Sequence, residues 1–65
     1  MTYPQHMLNA DAAFRCKKWD EAAGYYTKAL RALLYGGMLP VWNPSVRFVQ
    51  ERRFECWNRL RRFNA

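Results

Sequence analysis

Sixty-five residues allow one small domain, and a chain of this size buries only about 60% of the surface that its unfolded form exposes. Hydrophobic residues make up 51% of it, with three Trp, four Tyr and four Phe, which excludes intrinsic disorder and implies a packed core. Eleven Lys and Arg against five Asp and Glu give a net charge of +6 and a pI near 9.9, a balance that suits nucleic acid, anionic lipid or an acidic protein and equally suits a solubilising helix face.

Taken in chain order, the pattern predicts an all-α domain over 1–65, with three antiparallel helices at about 3–16, 20–35 and 44–63. Thr2 and Gln5 have the spacing of a capping box, and Pro4 is tolerated in a first helical turn. The apolar positions of the first helix, Met7, Leu8, Ala10, Ala12, Ala13 and Phe14, are mostly small, so a neighbouring helix can approach closely. Lys17 and Lys18 place positive charge at the carbonyl end, where the dipole favours it.

Asp20 is a candidate N-cap for the second helix, with Glu21 beside it at the amide end. Ala22, Tyr26, Ala29, Leu30 and Leu33 recur on one helical face. Gly36-Gly37 is expected to supply a left-handed stop. In the apolar linker Met38–Trp42, Leu39 and Trp42 are expected to lie across the open end of the bundle, the alternative being a docking surface.

Asn43-Pro44 marks the start of the third helix, asparagine as cap and proline at the first helical position. Glu55 and Arg59 have the favourable i,i+4 order. Val46, Val49, Phe54, Cys56, Trp57, Leu60 and Phe63 span roughly half the circumference, more than one helix pair needs. Arg53 sits within that apolar face and must reach the rim or meet a carboxylate. Between Arg47 and Arg62 there are six Arg against two Glu.

The segment WDEAAGYYTKAL, Trp19 to Leu30, resembles the second half of a tetratricopeptide repeat. Trp19 takes the aromatic position before the turn, Ala22 the small position and Tyr26 the aromatic position, followed by Ala29-Leu30. On that alignment Ala12 and Ala13 fall where the repeat's first helix meets its second. The closing WNRLRRFNA resembles the end of another first helix, with Phe63 in the place of Trp19. The interval of 44 residues from Trp19 to Phe63 exceeds the ~34 of that family, Leu34 stands where its closing proline would be, and the chain stops where a second hairpin would continue. The microtubule-interacting and transport domain, a three-helix bundle, is also similar, with Phe54–Arg59 loosely matching a motif of its third helix.

Both resemblances imply antiparallel helices that bind peptide segments without catalysis. The tetratricopeptide alignment implies a partner-binding groove lined by Asp11, Arg15, Phe48, Arg52, Glu55 and Arg59. Phe48 stands out as an aromatic among charges. The Lys and Asn of the carboxylate-clamping members are replaced by Met7, Asp11 and Arg52, so that mode of binding is not carried over.

No reaction is spelled out by the remaining residues. Gly36-Gly37 lacks the Lys and Ser/Thr of a phosphate loop. Asp20-Glu21 reads as a helix cap, and Cys16 and Cys56 as core thiols that no histidine is placed to activate. His6 is the single histidine, and neither cysteine has metal-ligand spacing near it, so neither metal nor cofactor is expected. The N-terminal MTYPQHM lacks the basic and apolar regions of a signal peptide. The apolar run Ala32–Trp42 is short for a bilayer and broken by Gly36, Gly37 and Pro40. The expectation is a cytoplasmic, non-enzymatic module or regulator that binds a partner protein segment. The alternative is a nucleic-acid-binding protein using Arg47, Arg52, Arg59 and Arg62, with affinity that falls steeply with salt. A homodimer paired through Val49, Arg53, Cys56, Trp57, Leu60 and Phe63 is compatible with both.

Overall fold

A computed structural model describes the backbone of residues 2–64 and the side chains of residues 2–62. The architecture is all-α: α1 (Tyr3–Arg15), α2 (Trp19–Arg31), a π-helical turn (Ala32–Gly36) that prolongs α2, and α3 (Pro44–Asn64). No strand occurs among the described residues.

Helix ends follow backbone bonding more than side-chain caps. Thr2 is extended at the N-cap of α1 and its carbonyl accepts from the His6 N–H at 3.0 Å, but its hydroxyl makes no capping bond. The expected capping box with Gln5 is therefore not formed. Past Arg15, Lys17 turns left-handed at φ 60°; its N–H donates to the Phe14 carbonyl and the Lys18 N–H to the Ala13 carbonyl. These are the paired bonds of a Schellman motif, which stop the helix one residue earlier than expected.

α2 then starts at Trp19, with Lys18 at the N-cap and no side-chain cap. Asp20 lies inside the first turn and does not cap; with Glu21 it acts through the helix dipole. At the far end, Gly37 donates to the Ala32 carbonyl at 2.8 Å and Leu39 to that of Leu33 at 3.1 Å. The helix has widened by one residue, a π-type ending. The left-handed residue here is Met38, φ 53°, while Gly37 sits at φ −92°. The expected glycine stop is thus displaced by one position. Glycine suits position 37 for a different reason: a Cβ there would stand 3.0 Å from the Leu33 carbonyl oxygen, tighter than an ordinary contact.

The third helix begins as anticipated. Asn43 Oδ1 accepts from the Ser45 N–H at 2.9 Å, its carbonyl accepts from the Arg47 N–H at 2.9 Å, and Pro44 follows at the first helical position.

α2 is the central element, and α1 and α3 both pack on it. Asp11 faces Tyr26 and Phe14 faces Trp19, so α1 and α2 run antiparallel. Trp19 meets Arg59, while Tyr26 lies near Arg52 and Cys56, so α2 and α3 do the same. The core is Trp19, Ala22, Ala23, Tyr26, Ala29, Leu30 and Leu33 of α2 and its π-turn, with Ala10 and Ala13 from α1 and Val46, Val49 and Cys56 from α3. Ala10 and Ala13, three residues apart, form the α1 contact; Ala12, expected there, is exposed.

Two further expectations are corrected. Leu39 packs against the core, but Trp42 is 73% exposed. The Asn43 N–H donates to the Pro40 carbonyl, and this turn holds Val41 and Trp42 at its solvent-facing apex. Cys16 is also exposed, because the chain leaves the helix at that residue. No helix among the described residues is long and apolar enough to cross a membrane.

Two substitutions test this backbone account. Gly24 lies on the exposed side of α2 with nothing within 4 Å of a built Cβ. Gly24→Ala should raise stability by about 0.5–1 kcal/mol. Met38→Gly should add about 1 kcal/mol by relieving a left-handed side-chain clash. Urea unfolding midpoints at unchanged slope would measure both; a loss of stability in Met38→Gly would contradict the assigned turn.

Candidate functional site

The side of α3 nearest α1 carries Phe48, Arg52, Glu55, Arg59 and Arg62. Residues three, four and seven apart share one face of a helix, so these form a continuous line. Four of them have specific neighbours. The Arg52 guanidinium lies 4.8 Å from the Phe14 ring centre and 5.5 Å from that of Phe48, bridging α1 and α3 through aromatic faces. Arg59 lies 4.9 Å from the Trp19 ring and its Nε donates to Glu55 Oε1 at 2.9 Å. Such contacts orient a planar guanidinium that would otherwise sample many rotamers.

Beneath this line a tertiary side-chain hydrogen bond ties α1 to α2. The Tyr26 hydroxyl donates to Asp11 Oδ1 at 2.6 Å, and Tyr26 is fully buried. Burial, then the hydrogen bond to Asp11 and that carboxylate's negative charge, push the Tyr26 phenol well above its ordinary value near 10. Burial also raises the Cys56 thiol, helped by the neighbouring Glu55 charge, so this thiol stays protonated and unreactive near neutral pH. Phe14 completes the cluster edge-on to Trp19, with ring centres 4.9 Å apart.

Of the six residues expected to line a partner groove, Phe48, Arg52, Glu55 and Arg59 thus share one face. Asp11 lies beneath, engaged by Tyr26, and Arg15 is exposed at the end of α1. The sequence marks Phe14 as an apolar position of the first helix and Trp19 as the aromatic before the turn, and does not reveal that each forms an aromatic floor for an arginine. The signal was the i,i+7 spacing of Arg52 and Arg59, which matches a helix face that crosses the α1–α2 turn. Lys17 and Arg62 belong to the same end: with Trp19 and Arg59 they line an open recess of about 200 Å³.

The expected self-association set is divided. Val49 and Cys56 are wholly buried against the chain's own core, and Leu60 is half-buried against it. Val49 and Cys56 therefore offer no surface to a second copy, because α3 turns them towards α2. Trp57 remains 43% exposed, with the Arg53 guanidinium 4.3 Å from its ring. Among the described residues Arg53 thus meets an aromatic face and no carboxylate, and its Nε is buried without a hydrogen-bond partner. The side chain of Phe63 lies outside the described residues. Phe54, expected on the apolar side, points the other way and is 63% exposed; it borders a shallow groove with Arg47, Gln50, Glu51 and Glu55. Among the described residues, no three His, Cys, Asp or Glu side chains gather into a set that could hold a metal.

Comparison with protein-family models, with curated proteins and with solved structures finds no match to this chain.

The Tyr26–Asp11 bond has a clear signature. A phenol whose value is raised in the folded state contributes stability that is fully present below pH ~10 and is lost as the pH rises above that. Thermal unfolding followed by circular dichroism should show stability falling above pH 10, and less steeply in Tyr26→Phe. At neutral pH that substitution should cost about 1–2 kcal/mol, since it leaves a half-buried carboxylate without its donor. Equal alkaline slopes in both proteins would refute the assignment.

Proposed function

We propose that the chain is a non-enzymatic interaction module whose α1–α3 face receives a segment of another protein. The observation that carries this reading is the line Phe48–Arg52–Arg59, in which an aromatic residue 46% exposed stands beside the Arg52 guanidinium, held against Phe14, with the Arg59 guanidinium held against Trp19 further along the same face. Held groups lose less freedom when a partner arrives, and aromatic and arginine side chains are the types that dominate binding energy at interfaces. The resemblance of Trp19–Leu30 to a tetratricopeptide hairpin supports the same reading.

The four arginines of the nucleic-acid alternative are divided in their commitments. Arg52 lies against the Phe14 and Phe48 rings, Arg59 lies against Trp19 and is ion-paired with Glu55, Arg47 lies between Phe48 and Phe54 beside Glu51, and Arg62 lines the recess at the α1–α2 turn. A phosphate-tracking surface would present its cations free of rings and carboxylates, so protein binding is favoured.

The test is capture from the native extract by the full chain at two salt concentrations, with and without nuclease. A partner retained after nuclease treatment and in high salt is expected. Its retention should fall several-fold with Phe48→Ala and stay unchanged with Phe54→Ala, about 120° away around the helix. Loss of all retained material on nuclease treatment would establish nucleic-acid binding instead, and undiminished capture by Phe48→Ala would remove the α1–α3 face from the interaction.

A further inference from the structure

We infer that the recess at the α1–α2 turn, lined by Lys17, Trp19, Arg59 and Arg62, is an anion-receiving subsite, and that the protein segment docked on this face is acidic where it reaches it. This inference rests on the docking reading above and adds the chemistry of the occupant.

Charge complementarity carries the argument. Four cations stand along the line from Phe48 to the turn, Lys17, Arg52, Arg59 and Arg62, and Arg15 is exposed at the end of α1 next to that turn. The two carboxylates along the middle of the line are both engaged, Asp11 by the Tyr26 hydroxyl and Glu55 by Arg59, and Glu51 lies at the Phe48 end, outside the lining of the recess. Arg15, Lys17 and Arg62 have no carboxylate within ion-pair distance among the described residues. The positive charge therefore collects at one end, where Trp19 supplies an apolar wall and the Arg59 guanidinium lies against it. A carboxylate entering there meets cations beside a low-dielectric surface, where charge–charge attraction is stronger than in open water.

The other end differs in kind. Phe48 is eleven residues before Arg59 on α3, about 16 Å along the helix axis, and it is an aromatic surface. An extended chain covers that distance in about five residues. The matching occupant is a protein segment with an apolar side chain over Phe48 and carboxylates about five residues away over the recess. A polyanion charged at every unit is matched less well, because Glu55 stands midway and the Phe48 end carries the Glu51 carboxylate as well as Arg47 beside its rings.

The test uses the full chain and two dye-labelled octapeptides followed by fluorescence anisotropy. One carries leucine and, five residues on, a run of three glutamates; the other has glutamines in their place. The acidic peptide should bind at least tenfold more tightly at low salt. The double variant Lys17→Gln/Arg62→Gln should weaken it at least fivefold. Arg31→Gln/Arg61→Gln, which removes the same charge from exposed positions that do not line the recess, should change it less than twofold. Circular dichroism melts of both double variants would verify folding, and the single Arg62→Gln, at an exposed site, should lose binding in the same direction.

Equal losses in the two double variants would overturn the subsite in favour of diffuse charge attraction. Absence of a preference for the acidic peptide would overturn it directly. A single-stranded oligonucleotide that binds more tightly than the peptide and depends on Lys17 and Arg62 would overturn the acidic-segment assignment. Failure of any of these beside intact Phe48-dependent capture removes the anion subsite alone, whereas failure of Phe48-dependent capture removes the docking reading on which it stands.

Discussion

Tyr26 is the side chain on which the three helices depend. It is among the largest fully buried side chains described, and it stands in the middle of α2 with Asp11 and Phe14 of α1 on one side and Arg52 and Cys56 of α3 near it. The alanines that surround it explain why it can take that place. Ala10, Ala13, Ala22, Ala23 and Ala29 keep backbones close, and a core made only of such residues would remove little apolar area from water. One tyrosine fills the junction and adds a directional bond that sets how far α1 can slide along α2. A phenylalanine would fill the space nearly as well but would specify the register less.

The dependence extends outwards from that junction. With α1 held at Asp11, Phe14 lies edge-on to Trp19 and within reach of Arg52. Trp19, the first residue of α2, in turn lies against Arg59 near the end of α3. The surface line is thus the outer layer of the same arrangement that forms the core. Two arginines act as covers on rings that a chain this small cannot bury completely, so a substitution in the core would be felt on the surface before the helices melt.

Elements whose information is local were legible in the sequence. The α2 stripe of Ala22, Tyr26, Ala29, Leu30 and Leu33 is buried as its periodicity required, and Asn43 caps α3 through the bond that its side chain makes possible. What escaped depends on where the chain turns. Trp42 looked like a lid because it is apolar, but the bond from Asn43 to Pro40 holds it at a turn apex. Phe54 was counted with the apolar face because a stripe half a helix wide has no sharp edge in projection, and only the position of α2 decides which border is covered. Asp20 looked like the N-cap because its chemistry suits one, yet the Schellman bonds at Lys17 and Lys18 bring the chain into helix one residue sooner. The candidate site was half visible for the same reason: Phe48, Arg52 and Arg59 share a face of one helix, whereas Phe14, Trp19 and Lys17 join them only through tertiary packing.

The uneven charge has two physical origins, and separating them sharpens what the surface can do. Arg15, Arg61 and Arg62 stand in the last turns of α1 and α3, where a cation offsets the exposed carbonyls at about 0.3–1 kcal/mol each. Dipole compensation alone accounts for their presence in sequence. It does not account for Arg52 and Arg59, which lie further from the helix end and are committed to rings, nor for Lys17, which occupies a left-handed position that glycine would fill with less strain. Because α1 and α3 run in the same direction, their carbonyl ends lie towards the same end of the bundle, and cations placed to serve each helix separately are drawn together with these others. A charge pattern useful for helix stability in each segment thereby becomes, after folding, a single positive region beside an aromatic floor.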